Sequence, residues 1–329
     1  ANTTASNNTG IGFQALAYME TGHSNTAVGM DAFYTATTSI RSVAVGMNAL
    51  RLTTTGSSNT AVGYNALTAN TTGAELTAVG IYALSSNTTG VDNNAFGYSS
   101  LGSNTTGGYN SAYGNETLTD NVEGSSNMAF GEHALNSTTS SGNMGIGRQA
   151  ATSNTTGIRI IAIGHEAYEN SDTENDNMAI GFRAMNTNTA GGTQNVAVGN
   201  YALDALTSGD SNIGIGYNAN GAITTGGANI AIGDEALLAN TDGSNNVAIG
   251  ANALHTSTSI GNVVAIGYNA LQASTTGHSN TAVGYQSLEA HTTGHYNTAL
   301  GRESLQTNTT GGENTAIGYQ ALHLSTTSS

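Results

Sequence analysis

Short apolar clusters recur along the chain, each separated from the next by a polar stretch. In "SNTAVGYNALTANTTG", Ser58 to Gly73, one cluster is Thr60-Ala61-Val62 and a second is Ala66-Leu67. Aligned on the glycine that follows the first cluster, nineteen copies run from Gly12 to Gly318. Sixteen of the eighteen spacings are 17 residues; one is 16 (Gly131 to Gly147) and one is 18 (Gly181 to Gly199). Self-similarity at a short fixed period is the signature of a stacked array.

Each column of the alignment has its own character. A large apolar residue precedes the glycine in all nineteen copies, and the residue before that is Ala in sixteen and Gly in three. Two positions further back stands Asn in fifteen copies, replaced by Ser42, Leu76, Ile160 and Val263 in the others. Alternation with period two reads as a strand. Thr60 and Val62 then share one face, and Asn59, Ala61 and Gly63 the other. Val62 and Leu67 are the expected core, each worth ~1.5–3 kcal/mol when fully buried. The all-small Ala face is the expected surface for close approach between chains. A second short strand is expected at "YNAL", whose Leu recurs in fourteen copies, and a turn at "NTTG", whose Gly is expected to supply a positive φ.

Two glycines per period among Asn and Thr are poor helix material. Seventeen residues suit one coil of two strands and two turns. The predicted fold is therefore all-β, a β-solenoid (β-roll) of about nineteen coils, running as one repetitive shaft over 1–329 with no internal boundary. Stacking aligns like with like, so Asn59, Ala61, Val62, Gly63 and Leu67, and equally Asn246, Ile249, Gly250 and Leu254, become rungs of ladders. Asn ladders hydrogen-bond along such a stack. The absence of Pro agrees, since ladder strands need every N–H. A single coil cannot offset a backbone ordering cost of ~1–2 kcal/mol per residue, so stability must come from neighbouring coils. At ~4.8 Å per rung the predicted rod is on the order of 90 Å long.

Composition narrows function. Only 8 % of residues are charged, the six basic residues are all Arg, and net charge is −15. Nucleic acid is not an expected partner, because phosphate binding needs clustered Lys and Arg. No stretch approaches the roughly 20 apolar residues of a membrane helix, so no membrane insertion is expected. Cysteine is absent, so no disulfide framework bears on compartment. The chain starts at Ala1, which suggests processing or a piece of something longer.

The segments "SVAVG" (Ser42 to Gly46), "NVAIG" (Asn246 to Gly250) and "VVAIG" (Val263 to Gly267) resemble the core of YadA-type heads in trimeric autotransporter adhesins. That resemblance implies left-handed β-rolls with three chains side by side. The period here is longer than in those heads, the difference lying in the "ALxxNTTG" return segment. The phrase "NTAIGYQAL" (Asn314 to Leu322) resembles repeat arrays of bacteriophage tail-fibre-like proteins. Together these imply an extracellular, cell-surface or virion location and a homotrimeric adhesive fibre that contacts a cell-surface glycan or protein receptor.

Candidate chemistry is sparse. Asp172, Glu174 and Asp176 in "ENSDTENDN" have the alternating spacing of a calcium loop, without the later Gly and bidentate Glu of an EF-hand. A solvated turn is the plainer reading, and calcium is the sole cofactor considered. His291 and His295, separated by "TTG", are a candidate metal pair, although decoration of a surface turn accounts for them equally. Nine N-x-S/T sequons occur, at Asn2, Asn7, Asn70, Asn87, Asn104, Asn115, Asn136, Asn154 and Asn308. The commonest context is the "NTT" turn, where a sugar on Asn70, Asn87, Asn104, Asn154 or Asn308 would project outward. Tyr64, Tyr98, Tyr217, Tyr268, Tyr285 and Tyr319 follow the anchor glycine and offer either a glycan-binding stripe or ordinary edge packing. No catalytic motif stands out. The expected role is a non-catalytic structural fibre module. A filament of chains stacked head to tail is the alternative, with an ice-binding solenoid and a glycan-cleaving tailspike as remote ones.

Overall fold

The computed structural model describes residues 4–188 and 191–327. The chain divides into two compact units, Ala1–Ile160 and Ile161–Ser329. Both are all-β solenoids without helix among the described residues. Among the described residues nine strands, from Thr9–Ile11 to Met144–Ile146, belong to the first unit, and ten, from Ile161–Ile163 to Thr315–Ile317, to the second. Every strand is three residues long, and within each unit successive strands pair in parallel, each with its own copy in the next coil. Thr60, Ala61 and Val62 face Thr77, Ala78 and Val79 in the first unit. Val247, Ala248 and Ile249 face Val264, Ala265 and Ile266 in the second.

The odd spacings leave this register intact. Across the 16-residue coil Ala129 still faces Gly145, and across the 18-residue coil Ala179 still faces Ala197. In each case the altered length lies between the buried turn residue (Thr138, Asn188) and the next ladder asparagine (Asn143, Asn195).

Only one strand forms per coil, not two. The "YNAL" segment folds instead as a chain of turns, because Asn65 (φ 57°) and Leu67 (φ 52°) are left-handed, as is Ser58 (φ 60°) ahead of the strand. Such residues bend the chain too sharply for a strand. Their N–H groups still reach neighbouring coils. Leu67 donates to the Ala83 carbonyl at 3.0 Å and Asn65 to the Met47 carbonyl at 3.1 Å. A solenoid thus keeps its backbone paired through the turns as well as the strands.

The strand faces the opposite way from the sequence expectation. Ala61, Ala66, Leu67, Asn59 and Asn70 are fully buried, whereas Val62 is 37 % exposed. The interior is too narrow for the larger face. Where Gly214 replaces Ala, an added Cβ would lie 2.9 Å from the Ala219 carbonyl oxygen and 3.1 Å from Leu203 Cγ. Even a methyl group is crowded there, and in the coils that carry Ala a branched side chain would overfill the space. The Ala face is therefore interior and offers no surface between chains.

The two recurrent glycines answer to different constraints. Gly63 has φ 142°, and a side chain there would also strike the Gly80 carbonyl. Gly73 has no positive φ, contrary to the expected turn. Its side chain would collide with the Gly90 carbonyl and the Asn70 carboxamide, so close packing excludes it.

Candidate functional site

Two asparagine ladders run through the interior. In the first, Asn59 Oδ1 accepts the Leu76 N–H at 3.0 Å while Asn59 Nδ2 donates to the Gly73 carbonyl at 2.9 Å. Asn246 repeats this geometry in the second unit, accepting from Val263 N at 3.2 Å and donating to the Ile260 carbonyl at 2.8 Å. Each asparagine thereby satisfies one coil's backbone while tying it to the next. Its amide gives both a donor and an acceptor at the right separation, which explains its recurrence in the column.

The second ladder overturns the glycosylation expectation. Asn70, Asn87, Asn104, Asn154 and Asn308 are all fully buried. Asn87 Nδ2 donates to Asn70 Oδ1 at 3.0 Å, and Asn104 Nδ2 to Asn87 Oδ1 at 2.9 Å. Each of the five also donates to the glycine carbonyl three residues on, as Asn70 does to Gly73 at 3.0 Å. The atom that would carry a sugar is inside the coil and bonded. Among the other sequons, Asn7 and Asn115 are exposed, Asn136 is half-buried, and Asn2 lies outside the described residues.

The calcium reading also gives way. Glu174 occupies the column of Gly73 and is 2 % exposed, with its carboxylate turned to the backbone. Its Oε2 accepts the N–H groups of Asp172 and Thr173, both at 3.1 Å, and its Oε1 accepts that of Gly191 at 3.0 Å. Asp172 and Asp176 are exposed instead. Among the described residues no three His, Cys, Asp or Glu side chains gather to hold a metal. Close by, Tyr168 replaces Leu in the core column and is fully buried. Its hydroxyl accepts from Asn177 Nδ2 at 2.8 Å, and burial pushes its ionisation upward. Tyr168, Glu174 and the 18-residue coil depart from the repeat together, since Glu174 reaches the backbone of that longer coil at Gly191. In the sequence, each shows only as a column exception.

His291 and His295 do not form a pair. His291 is fully buried in the second asparagine column, while His295 is exposed. His295 stacks instead on His278, with ring centroids 5.7 Å apart and planes at 4°. Both rings accept a backbone N–H at Nδ1, from His278 and Gly261 respectively. That leaves the proton of the neutral ring on Nε2, a tautomer with no free outward lone pair for a metal.

Aromatic side chains on the outside pack along the stack. Tyr268 and Tyr285 are stacked 5.5 Å apart, and the Arg302 guanidinium lies 5.2 Å from the Tyr285 ring and 5.9 Å from the Tyr319 ring. Tyr64 and Tyr98 both make edge-to-face contacts with Tyr82, at 5.4 and 6.2 Å, and Tyr217 meets Tyr201 at 6.0 Å. Phe96, Tyr113 and Phe130, expected in the core, form an outward stack at 4.8 and 5.8 Å. The Tyr268–Tyr285 and Phe96–Tyr113–Phe130 rings face one another, whereas the Tyr64–Tyr82–Tyr98 and Tyr201–Tyr217 contacts are edge to face. The strand face is a further outer surface. None of the first or third strand residues is charged, and Val43, Val45, Val62, Ile215 and Leu300 are among its half-exposed members.

Against known proteins, the chain matches no protein-family model, no curated protein and no solved structure.

Proposed function

We propose that this chain is a structural and adhesive fibre module, a stiff non-catalytic shaft carried outside a cell or on a virion. The observation that supports this most is the repetition of one cross-section. In coil after coil the same Asn, Ala, Leu and Gly columns fill the interior, so added sequence adds length and leaves the section unchanged. Such construction suits a spacer that holds a receptor-binding element at a distance. Buried ladders and few ionisable groups also suit exposure to changing media.

Self-association side by side, as a homotrimer with left-handed coils, is the assembly proposed by resemblance. The charge-free strand face supports it, because chains of net charge −15 approach there with least repulsion. Electron microscopy of the purified chain tests the reading, with native mass measurement for chain number. Discrete short rods of uniform width are expected. Long open-ended fibres would replace the shaft by a head-to-tail filament, and compact globules would overturn both. Release of reducing ends from host glycans would instead mark a tailspike enzyme.

A further inference from the structure

The residue that follows the turn glycine has a recurrent task. Its side chain accepts the N–H of the corresponding residue in the preceding coil. Ser57 does so for Ile40 at 3.2 Å, Ser125 for Gly108 at 3.1 Å and Ser244 for Gly227 at 3.0 Å. In two successive coils the acceptor is an imidazole: His278 Nδ1 for Gly261 at 3.1 Å and His295 Nδ1 for His278 at 3.0 Å. A serine oxygen accepts at any pH. An imidazole nitrogen accepts only when unprotonated, and once protonated it presents a donor to a donor.

A third imidazole lies inside the same stretch. His291 is fully buried in the asparagine column that also holds Ser274 and Asn308. Its Nε2 stands 3.4 Å from the Asn297 carboxamide nitrogen, a donor, and its Nδ1 has no hydrogen-bond partner. The turn glycines Gly277 and Gly294 pack against the ring. The titratable group acting on it is His295, whose own ring touches His278 and Tyr296. Elsewhere, histidines stand against carboxylates: His133 with Glu116, His165 with Glu166 and His255 with Glu235. None of His278, His291 and His295 stands against a carboxylate; for His291 the Gly294 backbone favours the charged ring, but burial outweighs it.

We propose that the coils between Gly261 and Gly311, whose turns are bonded through His278 and His295, form an acid-sensitive joint that His291 holds closed only while its ring is neutral. Acid turns the His291 acceptor into a donor and puts a charge in a dry interior. The stretch then opens locally, while the Asn-laddered coils of the first unit stay shut. Burial holds His291 down to about 4, from an ordinary 6.5. Its neutral form is therefore the folded form, and its contribution is complete above the unfolded value. As pH falls from 6.5 towards 4, the opened state binds a proton that the closed state does not. The opening equilibrium rises as pH falls, at about tenfold per pH unit in the middle of that window and less at its ends.

Hydrogen exchange of the full chain, read by mass spectrometry and corrected for intrinsic rates, tests the joint. Between pH 6.5 and 5, peptides over 275–311 are expected to show a roughly 15-fold rise in opening, and peptides over 60–107 no comparable change. The H278S/H291N/H295S variant substitutes residues that the same columns already use. It is expected to keep protection at pH 7.5 and lose the rise. A flat wild-type profile, or a rise that persists in the variant, overturns the proposal. Should the triple variant fail to fold, H291N alone is read in the same way and is expected to lose the rise.

Discussion

A leucine in left-handed conformation is costly, on the order of 1–2 kcal/mol, yet Leu50, Leu67, Leu84 and Leu101 all adopt it, at φ 50–52°. Full burial of each side chain offsets that cost. Asn220 holds the same column at φ 52°, fully buried, with both carboxamide atoms unpaired. Replacing it with the leucine of neighbouring Leu203 and Leu237 removes two unsatisfied groups, so N220L is expected to stabilise by about 1–2 kcal/mol in denaturant unfolding. An unchanged or lowered midpoint would show that Asn's ease in the left-handed region outweighs its polarity. Gly63→Ala should do the reverse, losing about 3 kcal/mol from strained backbone and the Gly80 clash. At this scale the sequence was a good guide to which positions matter. It misassigned the reason for Gly73 and concealed the burial of Asn70, because an N-x-T triplet looks alike on either side of a coil.

At the element scale the three-residue strand carries its small residue inward. Ala61→Val is therefore expected to cost about 1–3 kcal/mol by overpacking, whereas Val62→Asp, on the half-exposed face, should cost the unassembled chain about 1 kcal/mol or less. Thermal melts of the two variants would give the opposite order if valine were the core residue. Period-two alternation revealed the strand, its bounds and its register, but alternation alone does not say which face is inside. Hydrophobicity favoured Val62. The width of the coil favours Ala61, and width depends on the left-handed turns at Asn65 and Leu67, which propensity reasoning read as a second strand. The Tyr168 and Glu174 substitutions and the acceptor role of His278 were visible only as exceptions, since each acquires meaning from the coil stacked on it.

For the molecule as a whole, stability should scale with coils. Removing residues 64–80 joins Gly63 to Ile81 and preserves every column, so the shortened chain is expected to melt within a few degrees of the parent. Removing residues 64–71 shifts Asn, Ala and Leu out of line, and loss of the cooperative transition is expected. Equal melting of the two deletions would refute column-based stability. The matched register from Thr9–Ile11 to Met144–Ile146 has a kinetic consequence too. A strand such as Thr60–Val62 finds nearly the same partner at Asn94–Phe96 as at Thr77–Val79. Extruding the skipped segment closes a loop of modest entropy and forfeits only one layer of contacts. Refolding from denaturant should therefore populate off-by-one stacks that anneal slowly, and unlike rungs such as Leu76 would act as fiducial marks that make the correct alignment the cheapest.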